Sequence, residues 1–359
     1  MQPGEIAARI ARWPTEGAQG PTTLELYPTL ACNLSCRFCD TTDRHQPPVD
    51  ELSTERLLEL VDEAAALGVK RVFILGGGEP LLRRAATPAV MARVKELGME
   101  GILTTNGTLL SPTLSEQMLR DGWDEVQFSI DGPTPEIHDR LRGVEGAFRR
   151  TVQAACRLSV GRKKRGIDRP RVALHTVITN ENFKELSEMV RLAHALGACR
   201  IDFDALIAYQ PWQSALKLTE EEAAQVPRIA QEALTLATSL GIESTLENYL
   251  DPTALDRGNT QIESPDLPGL RGAPCLKAWH YIVVAADGKT SPCCVLASQG
   301  GSVAEASLES TWRSDPFMLQ VRKGMLNGEP LPRCQECSWN ILKHEARIRD
   351  ELPADLPCP

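Results

Sequence analysis

No segment of the 359-residue chain approaches the run of about 20 apolar residues that a bilayer-spanning helix needs. Its first residues, MQPGEIAARIARWP, contain no apolar core of signal-peptide length. Positive charge is in deficit as well: 39 Lys and Arg stand against 48 Asp and Glu, for a formal charge of -9. This balance excludes a surface that grips phosphate backbones or anionic membranes indiscriminately, because both need clustered cations. The one basic run, Arg162 to Arg165, reads as a solvated loop. No internal repeat is present. These absences lead to the expectation of a cytoplasmic protein that binds neither nucleic acid nor membrane.

A disulfide framework is excluded on the same grounds, since cytosolic thiols stay reduced and a chain of this size needs no staples. Eleven cysteines are nevertheless present, and their clustering is informative. Three lie at Cys32, Cys36 and Cys39, and six lie from Cys275 onward: Cys275, Cys293, Cys294, Cys334, Cys337 and Cys358. Cys156 and Cys199 stand alone and read as small buried apolar residues. A composition that is 42% hydrophobic and 24% charged is that of a globular chain with a sizeable core.

Strand-like and helix-like patterns alternate along the first two thirds. Apolar, β-rich runs occur at 23–30, 71–75, 101–105, 125–130, 171–179 and 200–207. Helical periodicity occupies 53–67, 87–97, 111–121, 145–159 and 183–196, and a longer helix is expected over 219–240. Repeated βα units require a parallel sheet, because parallel neighbours need crossover connections. The pattern predicts a partial (β/α)6 barrel of the TIM type, with its chemistry at the carboxyl ends of the strands. A stretch rich in Pro, Gly and Asp, 251–272, reads as a linker. Beyond it, WHYIVVAADGKTSPCC predicts a hairpin turning at Asp287-Gly288. The expected divisions are an N-terminal extension (1–21), the barrel (22–218), a helix and linker (219–272) and a small C-terminal module of hairpin plus helix (273–359).

The loop after the first strand carries ACNLSCRFCD, a CxxxCxxC spacing with no partner residue that completes a set of four; His45 has no obvious pairing. Structural zinc takes four protein ligands, whereas an iron–sulfur cluster tolerates an iron whose last position is filled from outside the protein. The loop after the second strand reads GGGEP, residues 76–80, and offers backbone groups and the Glu79 carboxylate to a ligand bearing an ammonium group.

Together with TTNG at 104–107 and FSIDGP at 128–133, these strand-end motifs resemble those of the radical S-adenosylmethionine superfamily over about residues 22 to 210. The resemblance implies a 4Fe-4S cluster on Cys32, Cys36 and Cys39, with the amino and carboxylate groups of S-adenosylmethionine on the fourth iron. It implies reductive cleavage to methionine and a 5'-deoxyadenosyl radical that abstracts hydrogen from unactivated C–H bonds, fed by an electron donor such as flavodoxin or ferredoxin. By the same resemblance Gly77, Gly78 and Glu79 contact the methionine amino group, and Ser129 and Asp131 the ribose or carboxylate side. Arg142, in HDRLRG, and Asn180, after strand five, are further candidates for this cofactor.

The hairpin brings Cys275 and Cys293 to one end, and Cys334-Gln-Glu-Cys337 supplies a CxxC; spacing alone leaves zinc and iron–sulfur open. The order CxxxW, DGxxxPCC and CxxC is similar to the SPASM/twitch extension of radical enzymes, which implies an auxiliary 4Fe-4S cluster on Cys275, Cys293, Cys334 and Cys337. The full SPASM pattern departs here, because Lys343 and Arg347 stand where later thiols would be. The shorter twitch form of aminocyclitol-oxidising radical enzymes fits better. Cys294 is left over, either as a spare thiol or as a catalytic hydrogen donor. The main expectation is thus a radical dehydrogenase or epimerase acting on a polar sugar-like or cyclitol-like molecule. Two alternatives stand beside it: a maturase of a ribosomally made peptide, for which only some 22 residues precede strand one where many maturases carry a recognition domain, and a non-enzymatic metal-binding module. Trp123, Tyr209, Trp212, Trp279 and His280 are candidates for the substrate pocket or for the core.

Overall fold

The structure is a computed structural model that describes residues 2–39, 41, 49–255, 267, 269–354 and 356. Six short apolar runs become the central strands: β1 (Thr23–Leu26), β2 (Arg71–Ile74), β3 (Glu100–Thr105), β4 (Glu125–Ser129), β5 (Arg171–Ile178) and β6 (Arg200–Ala205). Three more complete one sheet: β7 (Glu243–Ser244), β8 (Tyr281–Val284) and β9 (Thr290–Ser291), in the order β7-β6-β5-β4-β3-β2-β1-β8-β9. Every pairing is parallel except the β8–β9 hairpin.

Alternation along β4, β5 and β6 separates two environments. Val126, Phe128, Val172, Leu174, Ile201 and Phe203 are fully buried under the outer helices, while Gln127, Ser129, His175, Asp202 and Asp204 on the opposite face keep partial exposure. A residue period of two thus gives an apolar outer shell and a polar barrel lumen. Helices Thr54–Ala66, Ala86–Glu96, Pro112–Asp121, Ala147–Arg165 and Leu186–Ala195 supply the crossovers. Ser53 and Ser111 cap two of them, each hydroxyl accepting from a backbone N–H three residues on (both 3.1 Å).

Three expectations change. Arg162–Arg165 is not a loop but the last turn of Ala147–Arg165, where cations complement the negative end of the helix dipole. The helix over 219–240 breaks into Glu220–Ala223 and Val226–Ser239, because Pro227 lacks an N–H and clashes with the preceding turn. An additional helix, Pro135–Arg142, follows β4, and the N-terminal extension folds into Pro3–Ile10 and Trp13–Glu16. Most of the linker, 256–266 and residue 268, lies outside the described residues, as do His45 and Cys358.

The C-terminal module continues the barrel sheet. β8 pairs with β1 over Thr23↔Tyr281 to Leu26↔Val284, and Ile282, Val284, Trp312 and Met318 share a core with Leu24 and Leu26. A second core joins Ile6, Ala7 and Ile10 to Trp279, Leu296, Met325 and Ile348. Between the two cores the Arg322 guanidinium is sandwiched by Trp13 (4.8 Å) and Trp312 (4.4 Å), and it donates to the Ala278 and Trp312 carbonyls (both 2.9 Å). No helix among the described residues is long and apolar enough to cross a membrane.

Because Ile282 is fully buried in the shared core, Ile282→Ala is expected to cost about 2–5 kcal/mol. Differential scanning calorimetry should show one transition at lower temperature; a split into two transitions would mean that module and barrel fold independently.

Candidate active site

The CxxxCxxC loop is fixed from three directions. On one side Gly78 N–H donates to the Thr29 carbonyl (3.0 Å), Glu79 N–H to that of Ala31 (2.8 Å), and Thr41 Oγ1 to that of Gly77 (3.0 Å). The approach is so close that a Cβ on Gly78 would sit 2.0 Å from the Ala31 oxygen. From a second side the unanticipated helix Pro135–Arg142 presents its last carbonyls: Ser35 N–H donates to Arg142 O (3.1 Å) and Arg37 N–H to Leu141 O (2.9 Å). Gly143 ends that helix at φ 70°, where a Cβ would lie 2.3 Å from the Ser35 oxygen. From the third side Asn106 of TTNG donates through Nδ2 to Asn33 Oδ1 (3.0 Å).

Cys32, Cys36 and Cys39 consequently face one cavity of about 620 Å³, shared with Gly76–Pro80, Thr104–Asn106, Ser129, Arg142 and Trp212. Burial raises the Cys36 thiol to about 11 even though the Arg142 guanidinium opposes the shift. Arg142 Nη1 lies 3.7 Å from the Cys36 sulfur, and its plane stacks on Phe38 at 5.3 Å. Its Nε is 2.5 Å from Asp131 Oδ2, a charge pairing without aligned hydrogen-bond geometry. Burial alone would depress the Arg142 pKa, but Asp131 and then Cys36 raise it. An obligate cation beside a buried thiol favours the thiolate that a cluster requires.

The sequence candidates divide accordingly. Gly77, Gly78, Glu79, Ser129 and Arg142 line the cavity with the three cysteines. Asp131 does not: it is fully buried, holding Arg142 and accepting from Val177 N–H (2.8 Å). Asn180 is turned away, donating to the Ala215 carbonyl (3.0 Å). Glu79 is 2% exposed and accepts from Thr105 Oγ1 (2.7 Å), Leu81 N–H (3.0 Å) and Asn106 N–H (2.8 Å). Burial raises its pKa although these bonds pull the other way. Trp212, 46% exposed, stands at the cavity edge, whereas Trp123 (1%) and Trp279 (3%) are core. Tyr209 lies under Arg333 (4.2 Å), and His280 is buried against Glu345 (Nε2–Oε2 3.1 Å).

Cys275, Cys293, Cys334 and Cys337 converge on a second, apolar pocket walled by Ala278, Leu296, Val321 and Met325. Burial raises Cys293 to about 12 and Cys275 well above its ordinary value. Among the described residues no three ligand-type side chains close on a single point as for one metal ion. Four free thiols around a common space, none in a disulfide, fit a cluster that occupies the volume between them. Cys294, next along the chain, is exposed, with Glu25, Lys277 and Asp204 among its charged surroundings.

Sequence reasoning missed several lumen residues. Glu25 accepts from Tyr27 Oη (2.6 Å) and from Tyr281 Oη, and the Lys277 ammonium lies 3.8 Å from the Tyr281 ring centre. Thr104, Gln127 and Asp202 form a chain (2.9 and 3.0 Å), and His175 pairs with Asp204 (2.9 Å). The available signal was polar residues at alternate positions in RIDFDA and VALHTVI, since strands of parallel sheets are ordinarily apolar throughout.

Comparison with known proteins agrees with this geometry. The family model of the Radical SAM superfamily matches residues 26–193, and that of an iron–sulfur cluster-binding domain, SPASM, matches residues 275–338. The PqqA peptide cyclase of Granulibacter bethesdensis is 29% identical over 89% of this chain and 81% of its own length. The AdoMet-dependent heme synthase of Methanosarcina barkeri is 27% identical over 82% of each chain. The crystal structure of Streptococcus suis SuiB bound to S-adenosylmethionine has the same fold, with a TM-score of 0.68 at 17% identity over 88% of this chain and 71% of that one.

Two outcomes are expected from iron analysis after anaerobic reconstitution. The wild type should hold about eight irons from two cubane clusters, and Cys334→Ala about four. Gly78→Ala should also lose the N-terminal cluster while its circular dichroism stays native, because the methyl group displaces the loop and not the core; full iron in that variant would show that the close approach is dispensable.

Proposed function

Because this chain belongs to the radical S-adenosylmethionine superfamily and carries a SPASM domain, we propose that it is a maturase that joins two groups within a ribosomally made peptide. The observation that carries this reading is the similarity to peptide cyclases along most of the chain. These relatives favour a peptide over the sugar or cyclitol dehydrogenation expected from the cysteine pattern, and they lend no support to an epimerase. Heme synthases are similar over a comparable length.

In this reading Cys32, Cys36 and Cys39 hold the cluster that binds S-adenosylmethionine, and Cys275, Cys293, Cys334 and Cys337 hold the auxiliary one. When bound, the first cluster and S-adenosylmethionine supply a radical that takes a hydrogen atom from carbon. The chain's own residues hold and shield that chemistry. Gly77, Gly78 and Glu79 line the wall that would receive the methionine moiety, and Ser129 offers its hydroxyl from the end of β4. Arg142 lowers the cost of a thiolate at Cys36 without offsetting its burial, and Asp131 keeps Arg142 in place. The cavity edge at Trp212 is the entry for an extended substrate. Cys294 lies close enough to the lumen charges to meet a substrate but is not required for ring closure, which needs no returning hydrogen.

The test is anaerobic incubation with S-adenosylmethionine, dithionite and synthetic peptides encoded beside the gene. A peptide two hydrogens lighter is expected, carrying no solvent deuterium at the reacting carbon in deuterated water and still formed by Cys294→Ala. Cys36→Ala should form neither the product nor 5'-deoxyadenosine. Turnover of a cyclitol but of no peptide would overturn the reading, and a single deuterium lost on Cys294→Ala would make that thiol a hydrogen donor.

A further inference from the structure

We propose that the His175–Asp204 pair is the proton acceptor of the reaction chamber, taking the proton released when the activated peptide carbon bonds to its second group. The inference rests on the peptide reading above. His175 lies in register with Ser129 on β4, and Ser129 lines the cofactor cavity, so the imidazole projects from the same sheet face, one strand beyond the cavity wall. On its other side it meets β6, where its Nε2 is 2.9 Å from Asp204 Oδ2. The remaining carboxylate oxygen accepts from Ser338 Oγ (3.0 Å) and Asn340 Nδ2 (2.9 Å). Ser338 directly follows Cys337, so the segment that carries an auxiliary-cluster cysteine also fixes the carboxylate that orients this ring.

Nδ1 has no hydrogen-bond partner among the described residues, and it is not one of the buried polar atoms left unpaired. The His175 and Asp204 side chains stay 26% and 30% exposed although both strands lie inside the nine-stranded sheet. A cross-strand pair serving only to hold β5 to β6 would be closed off, and the sheet already achieves that with six backbone register pairs. An imidazole with one nitrogen on a fixed carboxylate and the other open to a reaction space has the arrangement of an oriented general base.

The electrostatics agree. Burial disfavours the imidazolium, but Asp204, then Asp202 and Asp131, outweigh it and raise the His175 pKa. Asp204 and Asp202 approach from β6, the latter held by Arg200 (2.8 Å), and Asp131 approaches from beyond β4 with Arg142 behind it (2.5 Å). Ring closure between a C–H carbon and an X–H group removes two hydrogens and two electrons. One hydrogen leaves as an atom, to the 5'-deoxyadenosyl radical made from S-adenosylmethionine and one supplied electron. The X–H bond gives its proton to His175 Nδ1, and the remaining electron passes to a one-electron oxidant of the iron–sulfur class, so the sum balances.

The experiment compares reconstituted wild type, His175→Gln and Asp204→Asn with the same synthetic peptides, measuring cyclised peptide and 5'-deoxyadenosine together. In His175→Gln the ratio of product to 5'-deoxyadenosine should fall about 100-fold, the usual scale for losing a general base. Wild-type kcat should rise with pH through a midpoint above the ordinary imidazole value of about 6.5, because only neutral His175 accepts a proton. That limb should vanish in His175→Gln and move to lower pH in Asp204→Asn, which removes the partner that raises it. Peptide turnover by the wild type with an unchanged ratio and pH limb in His175→Gln would overturn the inference alone. Equal loss of product and 5'-deoxyadenosine would also overturn it, by showing a structural role. No peptide turnover by the wild type would overturn the peptide reading, and this inference with it.

Discussion

The close packing of three backbone segments around Cys36 is the constraint on which the rest of the site depends. The cysteine loop, the Gly76–Gly78 run and the carbonyl end of Pro135–Arg142 meet at distances that exclude a Cβ at Gly78 and Gly143. Such proximity satisfies loop amides that would otherwise be orphaned, and it aims three thiols into one cavity instead of into solvent. It also brings a permanently charged guanidinium to a sulfur whose burial raises its pKa, so that the cation partly offsets that rise. Arg142 can stay there because Asp131, fully buried just beyond the end of β4, compensates the cost of burying it.

The nine-stranded sheet converts this local packing into a chamber. Parallel pairing of β8 with β1 places the second cysteine pocket at the flank of the same barrel. The alternation along β4, β5 and β6 does the complementary job: apolar residues outward stabilise the helical shell, and polar residues inward leave an interior that tolerates charge. Glu25 with its two tyrosines, the chain from Thr104 to Asp202, and His175 held through Nε2 on Asp204 are each tied by hydrogen bonds across the strands. Hydrogen-bonded networks of this kind hold side chains still, which a site that handles radicals needs in order to limit the geometries a reactive carbon can reach.

Much of this was legible in the sequence, and for identifiable reasons. Spacing along a loop is local, so CxxxCxxC, GGGEP and CxxC declared their chemistry directly, and the alternation of β and α patterns fixed six strands and the parallel sheet. What sequence could not set was which side chains meet across the fold. Asp131 and Asn180 sit beside recognisable motifs, yet the structure turns one toward Arg142 at the end of helix Pro135–Arg142 and the other toward Ala215 in the turn Pro211–Leu216, and neither short segment gave a periodic signal. The substrate class likewise escaped the motifs, since cofactor residues are shared among enzymes with different substrates. From the sequence alone came the cysteine and glycine motifs and the succession of six strands with their crossover helices, which depend on local spacing and short-range hydrophobic period. Only the folded chain shows that β8 joins β1 and that Ser338 and Asn340 clamp Asp204, because those contacts join residues more than a hundred positions apart and arise only when the cores close.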